Sequence, residues 1–141
     1  MAFTFAAPKP AKSEGDLAGL DRVISSAVGR ALKEDNRDRA EIAGQMSSLL
    51  GEDVSRNMLN AYASEAREEH AISAHRFLAL IAATGRLDIL DVVISRIGGR
   101  VLVGEEVHTA RVGHLMAQKQ RIDEELRALR PITVPIERGR R

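Results

Sequence analysis

Arg56 and Asn57 stand side by side, and Asn60 follows one turn later if the stretch is helical. These side chains can pair bidentately with nucleobase edges, a guanidinium with guanine and a carboxamide with adenine. Ahead of them, Arg37 and Arg39 are phosphate-contact candidates, placed where a helix crossing a duplex would meet its backbone. This chemistry is recognition rather than catalysis. A plain pair of helices in an all-α domain would expose the same residues, and Arg37 and Arg39 would then be a solvated basic turn. The pattern alone leaves both readings open.

Those residues need a scaffold, and the stretch from Asp38 to Tyr62 supplies one. Asp38 can cap a first helix, with Glu41 in the capping-box position three residues on. Ile42, Met46, Leu49 and Leu50 recur at helical spacing and predict one buried stripe. Gly51 suits the left-handed residue that closes a helix. Ser55 is a good N-cap for a second helix, whose apolar side is Met58, Leu59 and Tyr62. Arg56, Asn57 and Asn60 then fall on the other side. That is the layout of a helix-turn-helix, which offers the first turns of its second helix to the major groove.

Composition bounds the rest. A chain of 141 residues suffices for one core with appendages. With three Phe, one Tyr and no Trp, that core is built from Leu, Ile, Val, Ala and Met, which fits packed helices better than a sheet. The fold class expected is all-α. Formal net charge is only +1, so any nucleic-acid contact must rest on local clustering of cations. The absence of Cys excludes disulfides and thiolate metal sites. No apolar run approaches the roughly 20 residues needed to span a bilayer, and the start of the chain lacks a signal-peptide core. A soluble cytoplasmic protein with no membrane association is expected.

Four segments are expected. Residues 1–13, with Pro8 and Pro10, read as a flexible arm, and residues 14–102 as the helical helix-turn-helix domain. Residues 103–130 read as a long C-terminal helix, and residues 131–141 as a basic tail carrying Arg138, Arg140 and Arg141. Within the domain, Ser13 or Asp16 opens a first helix through Leu17, Leu20, Val23, Ile24, Ala27, Val28, Ala31 and Leu32. After Tyr62 the Glu-rich run to His70 either extends the second motif helix or forms a loop. Ser73 caps a further helix ending at Gly85, and Leu87 to Ile97 forms another, stopped by Gly98-Gly99.

The order of a capped helix, a turn, V-S-R-x-x-L-x-x-Y, a polar connection, an apolar helix ending in A-x-T-G and a last helix resembles the lambda-repressor-like (Cro/repressor) helix-turn-helix class. In particular, MLNAYASEAREEHAISAHRFLALIAATGRLDILDVVISRIGGRVL is similar to phage-encoded regulators of that class, such as those of Mu-like phages and prophages. The resemblance covers roughly residues 38–102. It implies sequence-specific binding of duplex DNA without catalysis, with Arg56, Asn57 and Asn60 reading bases. Ser55 would cap the recognition helix and touch phosphate. The region departs from that pattern in its acids: Glu52, Asp53, Glu65, Glu68 and Glu69 stand against Arg56 and Arg67. Carboxylates facing a duplex oppose the phosphate neutralisation that supplies non-specific affinity. A helix-turn-helix kept as a protein–protein adaptor is therefore the alternative.

In the C-terminal helix, Val112, Leu115, Ile122, Leu126 and Leu129 form an a/d seam of about two and a half heptads, with Lys119 at one a position. In a parallel pair Glu125 would face Arg130 of the second copy. The seam predicts a homodimer, unless it packs onto the chain's own domain. Two motifs related by a two-fold axis would read half-sites one helical turn apart, about 34 Å. A symmetric phage ring is a third reading, supported by this helix alone.

No catalytic residue, metal site or cofactor is predicted. His70 and His75 are five apart and His108 and His114 six apart, neither the i, i+4 spacing of a helical ligand pair. Glu68-Glu69 and Glu124-Glu125 lie in charge-rich stretches with no apolar pocket to raise a carboxyl pKa.

Overall fold

The computed structural model describes residues 7–66 and 68–134. Among the described residues six α-helices run in order: α1 Leu20–Glu34, α2 Arg39–Leu50, α3 Arg56–Tyr62, α4 Ala74–Thr84, α5 Leu87–Ser95 and α6 Glu105–Leu129. Single 3-10 turns at Glu68–His70 and Arg130–Ile132 complete the set, and the described residues contain no strand. The chain divides after Val101 into two units, the first holding α1–α5 and the second α6.

In the first unit α4 is central, packing against α1, α2 and α5, while α3 rests on α1 and α2. Val28 and Ala31 of α1, Ile42 and Met46 of α2, Leu59 of α3, Leu80 of α4 and Ile89 of α5 lose essentially all contact with solvent. Aliphatic side chains supply nearly all of this core, and among the described residues Phe77 is its one buried aromatic ring. The α2 stripe differs from its periodicity at one end. Leu49 is 57 % exposed, and Ala43 takes the fourth buried place beside Ile42, Met46 and the half-buried Leu50.

The first helix begins later than its periodicity predicts. Gly15 and Gly19 both take positive φ, holding residues 14–19 in turns before α1 starts at Leu20. Asp16 caps backwards, accepting from the Lys12 and Ser13 N–H groups at 3.0 and 2.8 Å. Within the described part of the arm, Pro10 lies against the far end of α5. A Cβ on Gly98, whose φ is 90°, would come within 2.8 Å of the Pro10 Cα. Pro10 of the arm therefore rests against the domain at that point.

Ionic joints hold the helix ends together. Arg86, between α4 and α5, donates to Glu34 at 2.6 Å and grips Asp88 with two donors at 2.9 Å each. Arg100 pairs with Asp91 at 3.0 Å while Asp91 also accepts the Val101 N–H, folding the chain back along α5.

In the second unit α6 is a 25-residue helix with no buried residue. Glu105 and Glu106 sit in its first turn, where acids complement the helix dipole, and Glu106 accepts the Val103 N–H at 3.1 Å. Residues 101–103 are irregular backbone leading into it. No helix among the described residues is long and apolar enough to cross a membrane. Of the C-terminal tail only Pro131 to Val134 is described, and Arg138, Arg140 and Arg141 lie outside the described residues.

Candidate nucleic-acid interface

The α2–α3 pair is built around its turn. Asp38 caps α2 by accepting the Ala40 N–H at 3.1 Å; the box with Glu41 does not form. Gly51 closes α2 with φ 68°, donating its N–H to the Ser47 carbonyl. Ser47 then staples the turn. Its Oγ accepts the Val54 N–H at 2.8 Å and lies 2.8 Å from the Ala43 carbonyl, while Val54 itself is buried. Ser55 starts α3 by accepting the Met58 N–H at 3.2 Å, and its own N–H points to the Met58 sulfur. Nothing in the sequence marked Ser47, because a serine in the middle of a helix ordinarily bonds only its own backbone.

Leu59 and Ala61 pin α3 to the core, so the opposite side of that helix faces solvent. Arg56, Asn57 and Asn60 all project there, exposed. The Arg56 side chain is 60 % exposed, with one guanidinium nitrogen 3.8 Å from the Asp38 carboxylate. Asn60 Oδ1 accepts from Arg39 at 2.6 Å, bringing a cation of α2 to the same surface. Asn57 has no side-chain hydrogen bond among the described residues. After Ala63 the chain leaves the helix, so the Glu-rich run is a connection and α3 stays at two turns.

Arg37 takes a different place from the one its position suggests. Its guanidinium clasps Asp35 at 3.0 and 2.9 Å, donates to the Ala83 carbonyl at 2.8 Å and reaches Gln45 at 2.5 Å. It locks the α1–α2 turn onto the end of α4 and is not gathered with Arg39 and Arg56. The flanking Asp35, two residues away, was the available sign of this.

The acids divide into two groups. Glu52 turns toward α4, meeting His75 Nε2 at 2.7 Å and Arg76 at 3.3 Å, and Arg76 in turn donates to the Tyr62 hydroxyl at 2.6 Å. The hydrogen bonds from His75 and Arg76 hold the Glu52 carboxyl below the usual range. Asp53, Glu65 and Glu69 remain exposed, and Asp38 borders Arg56 directly. The surface is thus a small cationic and amide face with a carboxylate at its edge.

The seam residues of α6 are all exposed: Val112, Leu115, Ile122, Leu126 and Leu129 lie between 44 % and 57 % accessible. No protein-family model matches the chain, and no characterised protein or solved structure resembles it closely enough to count as a match.

Proposed function

We propose that the chain is a sequence-specific duplex-DNA-binding regulator, a helix-turn-helix protein of phage or prophage transcriptional control acting in the cytoplasm. It works as a homodimer through α6, without catalysis or cofactor. The observation that carries this reading is the outward set Arg56, Asn57 and Asn60 on α3, with Arg39 joined to Asn60 at 2.6 Å. In the proposed complex Arg56 and Asn57 read base edges. Asn60 holds Arg39 toward the phosphates or opens to read a base itself, and Ser55 keeps the helix start in register. Selection from a random duplex pool with the purified chain is the test. An enriched sequence whose binding is lost in Arg56→Ala supports the proposal; no enrichment and no salt-sensitive shift at low ionic strength ends it.

A protein–protein adaptor is the second reading, favoured by the exposed acids: Asp38 stands 3.8 Å from the Arg56 guanidinium, and Asp53, Glu65 and Glu69, close by in the sequence, are exposed. Carboxylates at that edge would suit a basic protein surface better than phosphate. A failed DNA selection would turn the assignment in this direction.

A further inference from the structure

Helices in proteins owe most of their stability to packing an apolar face, and α6 has no buried residue of its own. The seam shows what covers it. Its positions alternate Val112 (a), Leu115 (d), Lys119 (a), Ile122 (d), Leu126 (a) and Leu129 (d), beginning on an a and ending on a d. In an in-register parallel pair each layer meets itself. Lys119 then faces the Lys119 of the second copy in the middle of the seam, setting two ammonium groups against each other. The compensating Glu125–Arg130 pair lies at the exposed end, where ion pairs contribute little.

Reversing the second helix removes the conflict. In an antiparallel pair a positions meet d positions, and the seam maps onto itself over its full length. Val112 then packs on Leu129, Leu115 on Leu126, and Lys119 on Ile122 of the second copy. The Lys119 stem covers the isoleucine while its ammonium reaches the adjoining Asp123 carboxylate, and both are exposed here. All five apolar seam residues find an apolar or aliphatic partner. We infer that α6 pairs antiparallel with the α6 of a second copy of this chain, in full overlap across residues 112–129.

This inference rests on the dimer part of the proposed function and can fail without it. The chain has no Cys, so introduced thiols report cleanly. Two differently tagged copies, Val112→Cys and Leu129→Cys, are mixed and oxidised, and Leu126→Cys is oxidised alone. The expected result is efficient 112–129 cross-linking between tags and none at 126, because antiparallel Leu126 residues lie roughly 16 Å apart along the axis. Cross-linking through Leu126→Cys in a dimer would overturn the orientation and leave the dimer standing. A monomer by sedimentation at tens of micromolar would remove both. A spin label at Ala110→Cys, away from the seam, checks the result without altering packing. Antiparallel helices separate the labels by at least about 31 Å along the axis, whereas parallel ones keep them within the coil's cross-section.

Discussion

Arg39 donates to the Asn60 carboxamide oxygen at 2.6 Å, joining the first turn of α2 to the second turn of α3. The bond spans the two helices on the face they share. It fixes a cation beside an amide, and neither residue contributes to the core. Arg39→Ala should therefore leave Tm nearly unchanged while weakening binding to all DNA sequences and lowering the slope of log K against log salt by about 1. Arg37→Ala should do the reverse, lowering Tm with the salt slope intact, since its donors are spent on Asp35, Gln45 and Ala83. Salt titrations and melting curves of the two variants decide between them; equal slopes would remove Arg39 from the interface.

Base reading should be selective. Arg56→Ala or Asn57→Ala is expected to weaken the selected site by roughly 10- to 100-fold while changing random duplex far less, the loss of one bidentate contact being about 1–3 kcal/mol. Competition binding with both DNAs measures this ratio. A uniform loss would demote these residues to phosphate contacts.

Asp38→Asn separates the two roles of that residue. Asparagine is as good an N-cap as aspartate, so α2 should stay intact. The carboxylate 3.8 Å from Arg56 is removed. Non-specific DNA affinity should then rise by roughly two- to fivefold at low salt. An unchanged affinity would mean that this edge lies away from the duplex.

Two glycines should respond oppositely to alanine. Gly44 lies on the exposed side of α2 with open space where a Cβ would point, so Gly44→Ala should stabilise the fold by about 1 kcal/mol. Gly98 has φ 90°, and a Cβ there would fall 2.8 Å from the Pro10 Cα, so Gly98→Ala should cost about 1–3 kcal/mol and push Pro10 away. Denaturant unfolding of both variants checks the signs.

The fold should weaken in acid. Hydrogen bonds from Arg30 and then Arg86 hold the Glu34 carboxyl below its ordinary value of 4.5. Arg37 does the same for Asp35 and Arg86 for Asp88, below the ordinary 3.8. The unfolded chain takes up these protons at higher pH than the folded one, so unfolding gains favour as pH drops. The stabilisation is complete above about pH 4.5 and is lost as pH falls through the depressed values. Melting curves between about pH 6 and 3 should show Tm falling, with a shallower fall in Arg86→Met. A flat profile would show the joints to be unimportant.

The helical character was legible because local signals agreed with the fold. The Asp38 cap, Gly51 and the Ser55 cap bound α2 and α3 at the residues that periodicity indicated. The exposure of Arg56, Asn57 and Asn60 followed from Leu59 on the opposite side of the helix. What was illegible depended on contacts far apart in the chain. Arg37 has Asp35 beside it in the sequence, but its bond to the Ala83 carbonyl, 46 residues away, is what makes it a joint between helices. Glu52 counts as one more acid until His75 and Arg76 meet it. Leu49 satisfied the helical period, but the place it would fill on α2 went to Ala43.

The uncovered length of α6 carries a mechanical consequence. Opposed in full overlap, two such rods would set their Glu105 ends about 46 Å apart at 1.5 Å per residue. That exceeds one turn of B-DNA. The rod would act as a yardstick: inserting or deleting one heptad within the overlapping seam would change the separation of the two Glu105 ends by about 10 Å.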